Sequence, residues 1–292
     1  MIRKHPAFGI GLAALGAVLL SPDALFMRLS GMEGLQMVSW RGTSMGLIFL
    51  GAWALTSRDR RRDLAILATG AGAVIAVAQV LNALLFPTGI ALAPVAVMLM
   101  AVATAPVWSA LISRALYGEK TGPATWIAIV AVLTGIGIAV TGKGDLAISP
   151  QALLGALCGV GVAFVLALNF SVLRFHREVP ILLAMGLGAL VAGGIGIAAT
   201  GPAQMTDGNV PAILVTAILI LPASFFALSL ASRYTAAANV SLLMLLETVL
   251  GPVWVWLGTD ETPTARMLTG GAIVVVALAI YLARPTRRAR MG

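Results

Sequence analysis

The sequence predicts an all-α polytopic membrane protein, ten transmembrane helices arranged as two inverted five-helix repeats. Three observations lead there. The composition is 60% hydrophobic and 10% charged over 292 residues, against roughly 25% charged in soluble domains. The apolar residues gather into stretches of about 20, the length a helix needs to cross a hydrocarbon core about 30 Å thick. Finally, sliding the chain against itself by about 146 residues, half its length, brings like residues into register. These runs are apolar on every side, whereas barrel strands alternate at every second residue, so helices are expected.

The first span, about 7–29, follows Arg3 and Lys4 and begins like a secretory signal. It runs on through "SPDALFMRL" without a small-x-small cleavage site, so it reads as an uncleaved helix. Inside it Asp23 follows Pro22, and a proline frees a carbonyl for water or ligand. The second span, about 34–55, carries Arg41 beside Trp40 about seven residues inside, shallow enough to snorkel. Anchoring at the interface or pairing with Glu33 is the expected role of Arg41, with a substrate carboxylate as the alternative partner. The third span, about 64–86, places Gln79 and Asn82 three apart on one face, where their amides suit a zwitterion or an interhelical hydrogen bond. The fourth, about 88–113, holds Met98 and Trp108, and the fifth, about 122–141, holds the small-residue run "TGIGIAV", which favours close helix approach.

The sixth span, about 150–172, contains Asn169 and the single Cys158, which leaves no disulfide framework within one chain. The seventh, about 179–200, is the Gly-rich "GALVAGGIGIAATG" stretch, and the eighth, about 209–230, contains Ser224, Phe225 and Phe226. The ninth, about 235–257, is the most informative, with Asn239, Ser241, Met244, Glu247 and Trp254. Glu247 lies roughly 17 Å from either end at about 1.5 Å per residue, where a carboxylate costs about 2.5–3.5 kcal/mol. It must be protonated, pair with a cation, line a wet cavity that meets a substrate ammonium, or hydrogen-bond a neighbouring helix. Residues Met244, Glu247, Gly251 and Trp254 share one helical face. The tenth span, about 266–283, closes the series. Met98 and Met244 suit either core or an adaptable pocket, and Trp108 and Trp254 suit packing, an interface or an apolar pocket.

Fifteen of the 19 basic residues fall on one side of these spans: Arg3 and Lys4, Arg58 and Arg60 to Arg62, Arg114, Lys120, Arg174, Arg177, Arg233, and Arg284, Arg287, Arg288 and Arg290. By the positive-inside rule both termini are cytoplasmic, which requires an even span count. The net charge of +8 therefore reports topology, and no nucleic-acid partner is expected. His5 and His176 lie apart at span ends, so no metal site is expected.

In the repeat, "TAPVW" (104–108) falls on "LGPVW" (250–254), Met98 on Met244, Gly9 on Gly155, Arg28 on Arg174 and Asp23 on Asn169. After a shortening of about four residues, 118–140 resembles 260–280 and Glu119 meets Glu261, recurring where a carboxylate caps the next helix. An odd-numbered repeat must cross the membrane in opposite directions, the arrangement that places a cavity between two halves. The halves are 1–146 and 147–292.

The stretch "RYTAAANVSLLMLLETVLGPVWVWLGTDETPTARMLTGGAIVVVALAI" (233–280) resembles the second EamA-type repeat of the drug/metabolite transporter superfamily, and 87–140 resembles the first. Within that superfamily the resemblance is to amino-acid exporters of the YddG type. It implies ten helices in two inverted repeats, small organic substrates, amino acids including aromatic ones, export, and no nucleotide hydrolysis. It also implies a bacterial inner membrane. The first copy departs from the second, since Ala101 stands at the position matching Glu247. The expected substrate-binding residues are Arg41, Gln79, Asn82, Met98, Trp108, Asn169, Ser224, Phe225, Asn239, Ser241, Met244, Glu247 and Trp254. No GxxxxGK[ST] or HExxH stretch occurs, and the one GxSxG match, "GTSMG" (42–46), lies inside an apolar span and not at a strand-to-helix turn, which disfavours an ATP-driven pump or an intramembrane hydrolase, and no cofactor is expected. A monomer in the lipid bilayer with a small-molecule substrate is the expected assembly, with dimerisation through Gly-rich faces left open. The scarcity of intramembrane cations disfavours sugar phosphates. An exporter of lipophilic amines or drugs, and a non-transporting channel or component, are the alternative functions.

Overall fold

The computed structural model describes residues 6–93, 95–140, 150–258 and 265–283. Every long element among them is helical: α1 (Pro6–Leu20), α2 (Asp23–Ser30), α3 (Gly34–Thr56), α4 (Arg60–Leu67), α5 (Gly70–Leu92), α6 (Val95–Val102), α7 (Ala105–Tyr117) and α8 (Pro123–Val140) come from the first half. The second half supplies α9 (Pro150–Phe175), α10 (Ile181–Thr200), α11 (Val210–Leu214), a π turn (Val215–Ile220), α12 (Leu221–Ser232), α13 (Ala237–Met244), α14 (Leu246–Gly258) and α15 (Ala265–Ala283). Among the described residues seven helical stretches are long and apolar enough to cross a bilayer: 7–30, 70–92, 98–117, 153–175, 181–200, 210–232 and 237–258. The protein is a multi-pass membrane protein.

Local chemistry sets the ends. Glu33 and Gln36 form a reciprocal capping box at the start of α3, satisfying two of the N–H groups that a helix start leaves open. Asp59 caps α4 by accepting from the Arg62 amide, and Thr69 caps α5 by accepting from Gly72. Gly118, at φ +66°, takes the left-handed turn after α7 at no cost to a side chain.

Two expected boundaries move. The third and fourth spans, expected at about 64–86 and 88–113, lie six or so residues later, because Pro87 sits inside α5 instead of ending it. A separate short helix, α4, occupies the start of the expected third span. It is exposed and tied back to α3, with Trp53 Nε1 and Ser57 Oγ both donating to Asp63 Oδ2, at 2.8 and 2.6 Å.

Five rods are interrupted: α1/α2 at Ser21–Pro22, α4/α5 at Thr69, α6/α7 after Val102, α11/α12 by the π turn and α13/α14 at Leu245. Packing is most extensive between α3 and α10, then α5 and α9, α8 and α15, and α1 and α12. Further contacts join α5 to α10, α6 and α7 to α9, α7 to α13, and α1 to α13 and α14. The main apolar core runs through Met45, Phe49, Ile75, Leu166, Phe170, Leu173 and Leu228. A second core joins α8 and α15 through Ile129, Val132, Ile136, Val274 and Leu278. Outside, large apolar side chains such as Leu47, Ile127, Leu157 and Leu219 are exposed, as lipid-facing surfaces should be.

The α3–α10 contact depends on missing side chains. A Cβ on Gly42 would lie 2.6 Å from the Gly193 backbone nitrogen, and one on Gly46 2.7 Å from that of Leu190. At the N-terminal end of α3, Gln36 donates to the carbonyls of Gln204 and Asp207, and Trp40 Nε1 donates to the Met205 carbonyl at 2.8 Å. Residues 201–209 are thereby held across the end of α3.

Gly42→Leu is expected to lower the melting temperature of the detergent-purified protein by several degrees or to prevent its purification, since overpacking costs about 1–3 kcal/mol. Gly51→Leu on the same helix, with nothing within 4 Å of its Cβ position, should melt within about 2 °C of wild type.

Candidate functional site

The interrupted rods meet around one buried crevice lined by residues from both halves, among them Leu20, Asp23, Arg41, Met45, Gln79, Asn82, Phe86, Val102, Leu166, Phe225, Met244 and Glu247. Its cavity volume is about 40 Å³, which admits a few waters and is too small for an aromatic solute. Loading a solute requires the surrounding helices to part.

Asp23 and Arg41 dominate its polar chemistry. The break at Ser21–Pro22 sets Asp23 at the first position of α2, and Arg41 reaches it from α3. Arg41 Nη1 donates to Asp23 Oδ1 and Nη2 to Asp23 Oδ2, each at 2.8 Å. Nη1 also donates to Thr216 Oγ1 at 3.3 Å, and the guanidinium carbon stands 5.9 Å from the Phe86 ring centroid. Thr216 belongs to the π turn between α11 and α12, a helical irregularity that recurs at functional sites. Asp23 is 1% exposed and Arg41 6%. A planar, two-bonded pair of this kind is the strong form of carboxylate–guanidinium contact.

This corrects the expected role of Arg41. It neither snorkels nor pairs with Glu33, because Glu33 is engaged in the α3 cap and the α1/α2 break brings Asp23 within bonding distance. Glu119 is corrected likewise: its Oε1 accepts from Arg174 Nη2 at 3.4 Å, an ion pair between α9 and the loop after α7. Glu261 lies outside the described residues.

Glu247 opens α14 directly after the Leu245 interruption and is 5% exposed. Its electrostatic neighbours are Asp23 and Arg41, which satisfy each other, and its Oε1 has no hydrogen-bond partner. Gln79 is 2% exposed; with its amide nitrogen facing the Met45 sulfur at 4.0 Å, its Oε1 is likewise unpartnered. Asn82 lies one turn further along α5, then Ala83, Phe86 and Pro87 on the same wall. Pro87 has no N–H, so the Ala83 carbonyl loses its helical donor at this wall. The crevice therefore combines an internally neutralised ion pair, one acid without a dedicated cation, free acceptor oxygens, and aromatic and thioether walls.

Of the expected binding residues, Arg41, Gln79, Asn82, Phe225, Met244 and Glu247 line the crevice. The other seven do not. Trp254 shares the face of Glu247, but that face turns from the crevice to the α1/α2 break, where Trp254 Nε1 donates to Ser21 Oγ at 2.8 Å. Trp108 packs edge-on against Phe164 at 5.6 Å, and Met98 is fully buried against Gly89. Ser109 and Ser241 bond each other at 2.6 Å across α7 and α13. Asn239 donates to Thr235 Oγ1 at 2.9 Å and accepts from the Tyr281 hydroxyl at 2.6 Å. Ser224 returns its hydroxyl to the Ile220 carbonyl at 2.6 Å, and Asn169 is buried within α9, away from the crevice lining. Met45, Phe86, Val102 and the partner role of Asp23 were missed. The signal available for Asp23 was charge balance, since an acid and a base deep in neighbouring spans should meet.

Membrane-length helices thus surround a small crevice that holds one acid without a dedicated cation. Residues 7–141 match the EamA-like transporter family. The chain is 24% identical over 179 residues to "Uncharacterized transporter YdfC" of Bacillus subtilis (strain 168), across 60% of this chain and 58% of that protein. The chain thus aligns with less than two thirds of the relative. A solved structure described only as "Crystal structure of protein" shares the fold, with a TM-score of 0.76 over 97% of this chain and 99% of that one at 15% identity. The family match and the relative point to a transporter rather than an enzyme.

Breaking the ion pair one-sidedly strands a buried charge. Arg41→Gln and Asp23→Asn should each destabilise the protein by about 3–5 kcal/mol, and the double variant by less than either. Thermal unfolding of the purified variants in one detergent reads this double-mutant cycle.

Proposed function

We propose that the chain is a secondary transporter that carries small organic solutes bearing an ammonium group, amino acids including aromatic ones among them, out of the cell by alternating access. The observation that carries this reading is Glu247: a buried acid with an unpartnered oxygen, facing a crevice whose arginine is already neutralised. An acid so placed costs several kcal/mol in lipid, and a cationic solute or a proton offsets that cost in turn. Amino-acid export follows from the resemblance to exporters of the YddG type. Lipophilic amines are the second reading, favoured by the occupation of Arg41 by Asp23.

Ten crossings in two inverted halves, the arrangement that the internal sequence repeat implies, are the architecture this mechanism needs. Exchanging each rod of one half for its counterpart maps the most extensive helix contacts onto contacts that also occur, although those of α9 with α12 and α13 have no such counterpart. The α5–α9 contact becomes α12–α1, and α7–α9 becomes the contact of α13 and α14 with α1, while α3–α10, α7–α13 and α8–α15 map onto themselves. A bundle with this symmetry has two related arrangements that open opposite ends of a central site. The contracted crevice fits a closed intermediate between them. The basic-residue asymmetry supports cytoplasmic termini in a bacterial inner membrane, and the protein works as a monomer. Gln79, Asn82, Phe225, Met244 and Glu247 form the substrate contacts, with Arg41 held by Asp23 beside them; Met98, Trp108, Asn169, Ser224, Asn239, Ser241 and Trp254 hold the walls.

Counterflow in proteoliposomes with a panel of radiolabelled amino acids and amines, with and without an imposed pH gradient, tests carriage and proton linkage together. Saturable counterflow is expected for at least one ammonium-bearing solute; non-saturating flux without counterflow would indicate a pore. Glu247→Gln should reduce the initial rate by about tenfold or more, whereas Glu261→Ala should stay within about twofold. Equal rates in wild type and both variants would remove Glu247 from the mechanism.

A further inference from the structure

We propose that Asp23 is a built-in stand-in for a substrate carboxylate, so that the crevice selects an organic amine over the amino acid with the same side chain. This rests on the transporter reading and decides between its two solute classes. Arg41 commits both Nη atoms to Asp23 and one of them also to Thr216. A guanidinium this deeply buried must be matched by an anion at all times, and here the chain supplies it. An incoming carboxylate finds no vacant cation. Displacing Asp23 leaves that side chain, 1% exposed, buried and unpaired; sharing Arg41 with it sets two carboxylates side by side.

Among the described residues, the buried side-chain oxygens that line the crevice without a partner are Glu247 Oε1 and Gln79 Oε1, both acceptors. An ammonium supplies up to three N–H donors and one positive charge to meet them. Asp23 and Arg41 cancel, so the charge left to be matched is that of Glu247 whenever it is ionised. Phe86, Phe225, Met45 and Met244 provide walls that accept an aromatic body of varied shape. Asp23 thus acts through Arg41 as a residue that sets charge selectivity.

The test measures calorimetric affinity of purified protein for phenethylamine and phenylalanine, which differ only in the carboxylate, using wild type, Asp23→Asn and Asp23→Asn/Arg41→Gln. Wild type should favour phenethylamine by about tenfold or more. Asp23→Asn, in which Arg41 has lost its anion, should reverse the order, and the double variant, with both charges gone, should restore it. Wild type binding both equally, favouring phenylalanine or binding neither overturns the proposal, even where Asp23→Asn fails to fold. So does a folded Asp23→Asn that still favours the amine. Counterflow over the whole solute panel shows separately whether the transporter reading survives.

Discussion

The structure is organised by the cost of placing charge where water is scarce. Three ionisable side chains, Asp23, Arg41 and Glu247, line one crevice, each no more than 6% exposed. Two cancel through a two-bonded contact, and one does not. That imbalance separates this crevice from an ordinary packing defect. A void lined only by Leu, Val and Phe would be stable dry; one that retains an uncompensated acid needs a proton, a cation or water, and so is coupled to whatever supplies them.

The helix interruptions are the means by which the chain meets that cost. Ser21–Pro22 places Asp23 at the start of α2, Pro87 loosens α5 at Ala83, the π turn offers Thr216 to Arg41, and the Leu245 break precedes Glu247. Each exposes polar backbone or redirects a polar side chain, which lipid tolerates only where the group is buried in protein or faces a wet cavity. The uninterrupted α3 and α10 are pressed together at Gly42 and Gly193 and form the most extensive helix contact among the described residues.

Much of the fold was legible, because hydropathy and loop punctuation report burial in lipid directly. Glu247 stood out for the same reason: a carboxylate amid "LLMLLETVLGPVW" has no cheap explanation. Gln79 and Asn82 could be placed together because three residues nearly complete a helical turn. Arg41 was misjudged because depth along a helix says nothing about which neighbour lies beside it, and its partner is 18 residues away across a break. The third and fourth spans lie later than expected because α5 runs on through Pro87, and a proline inside a membrane helix survives when its freed carbonyl faces a polar crevice. Trp254 shows the limit of periodicity: it lies on the face of Glu247, but that face meets Ser21 further along the helix. Met45 and Phe86 carried no distinguishing signal, since apolar wall and apolar core look alike in sequence.

The account stands on this crevice being hydrated and opened to each side of the membrane in turn. Replacing Cys158, the chain's single cysteine, by Ser and placing one cysteine at Ala83 allows membrane-impermeant maleimide labelling from either face in oriented vesicles. The account predicts labelling from both faces, slowed from both by a transported solute. Labelling from neither face, or from one face alone whatever solute is present, would contradict it.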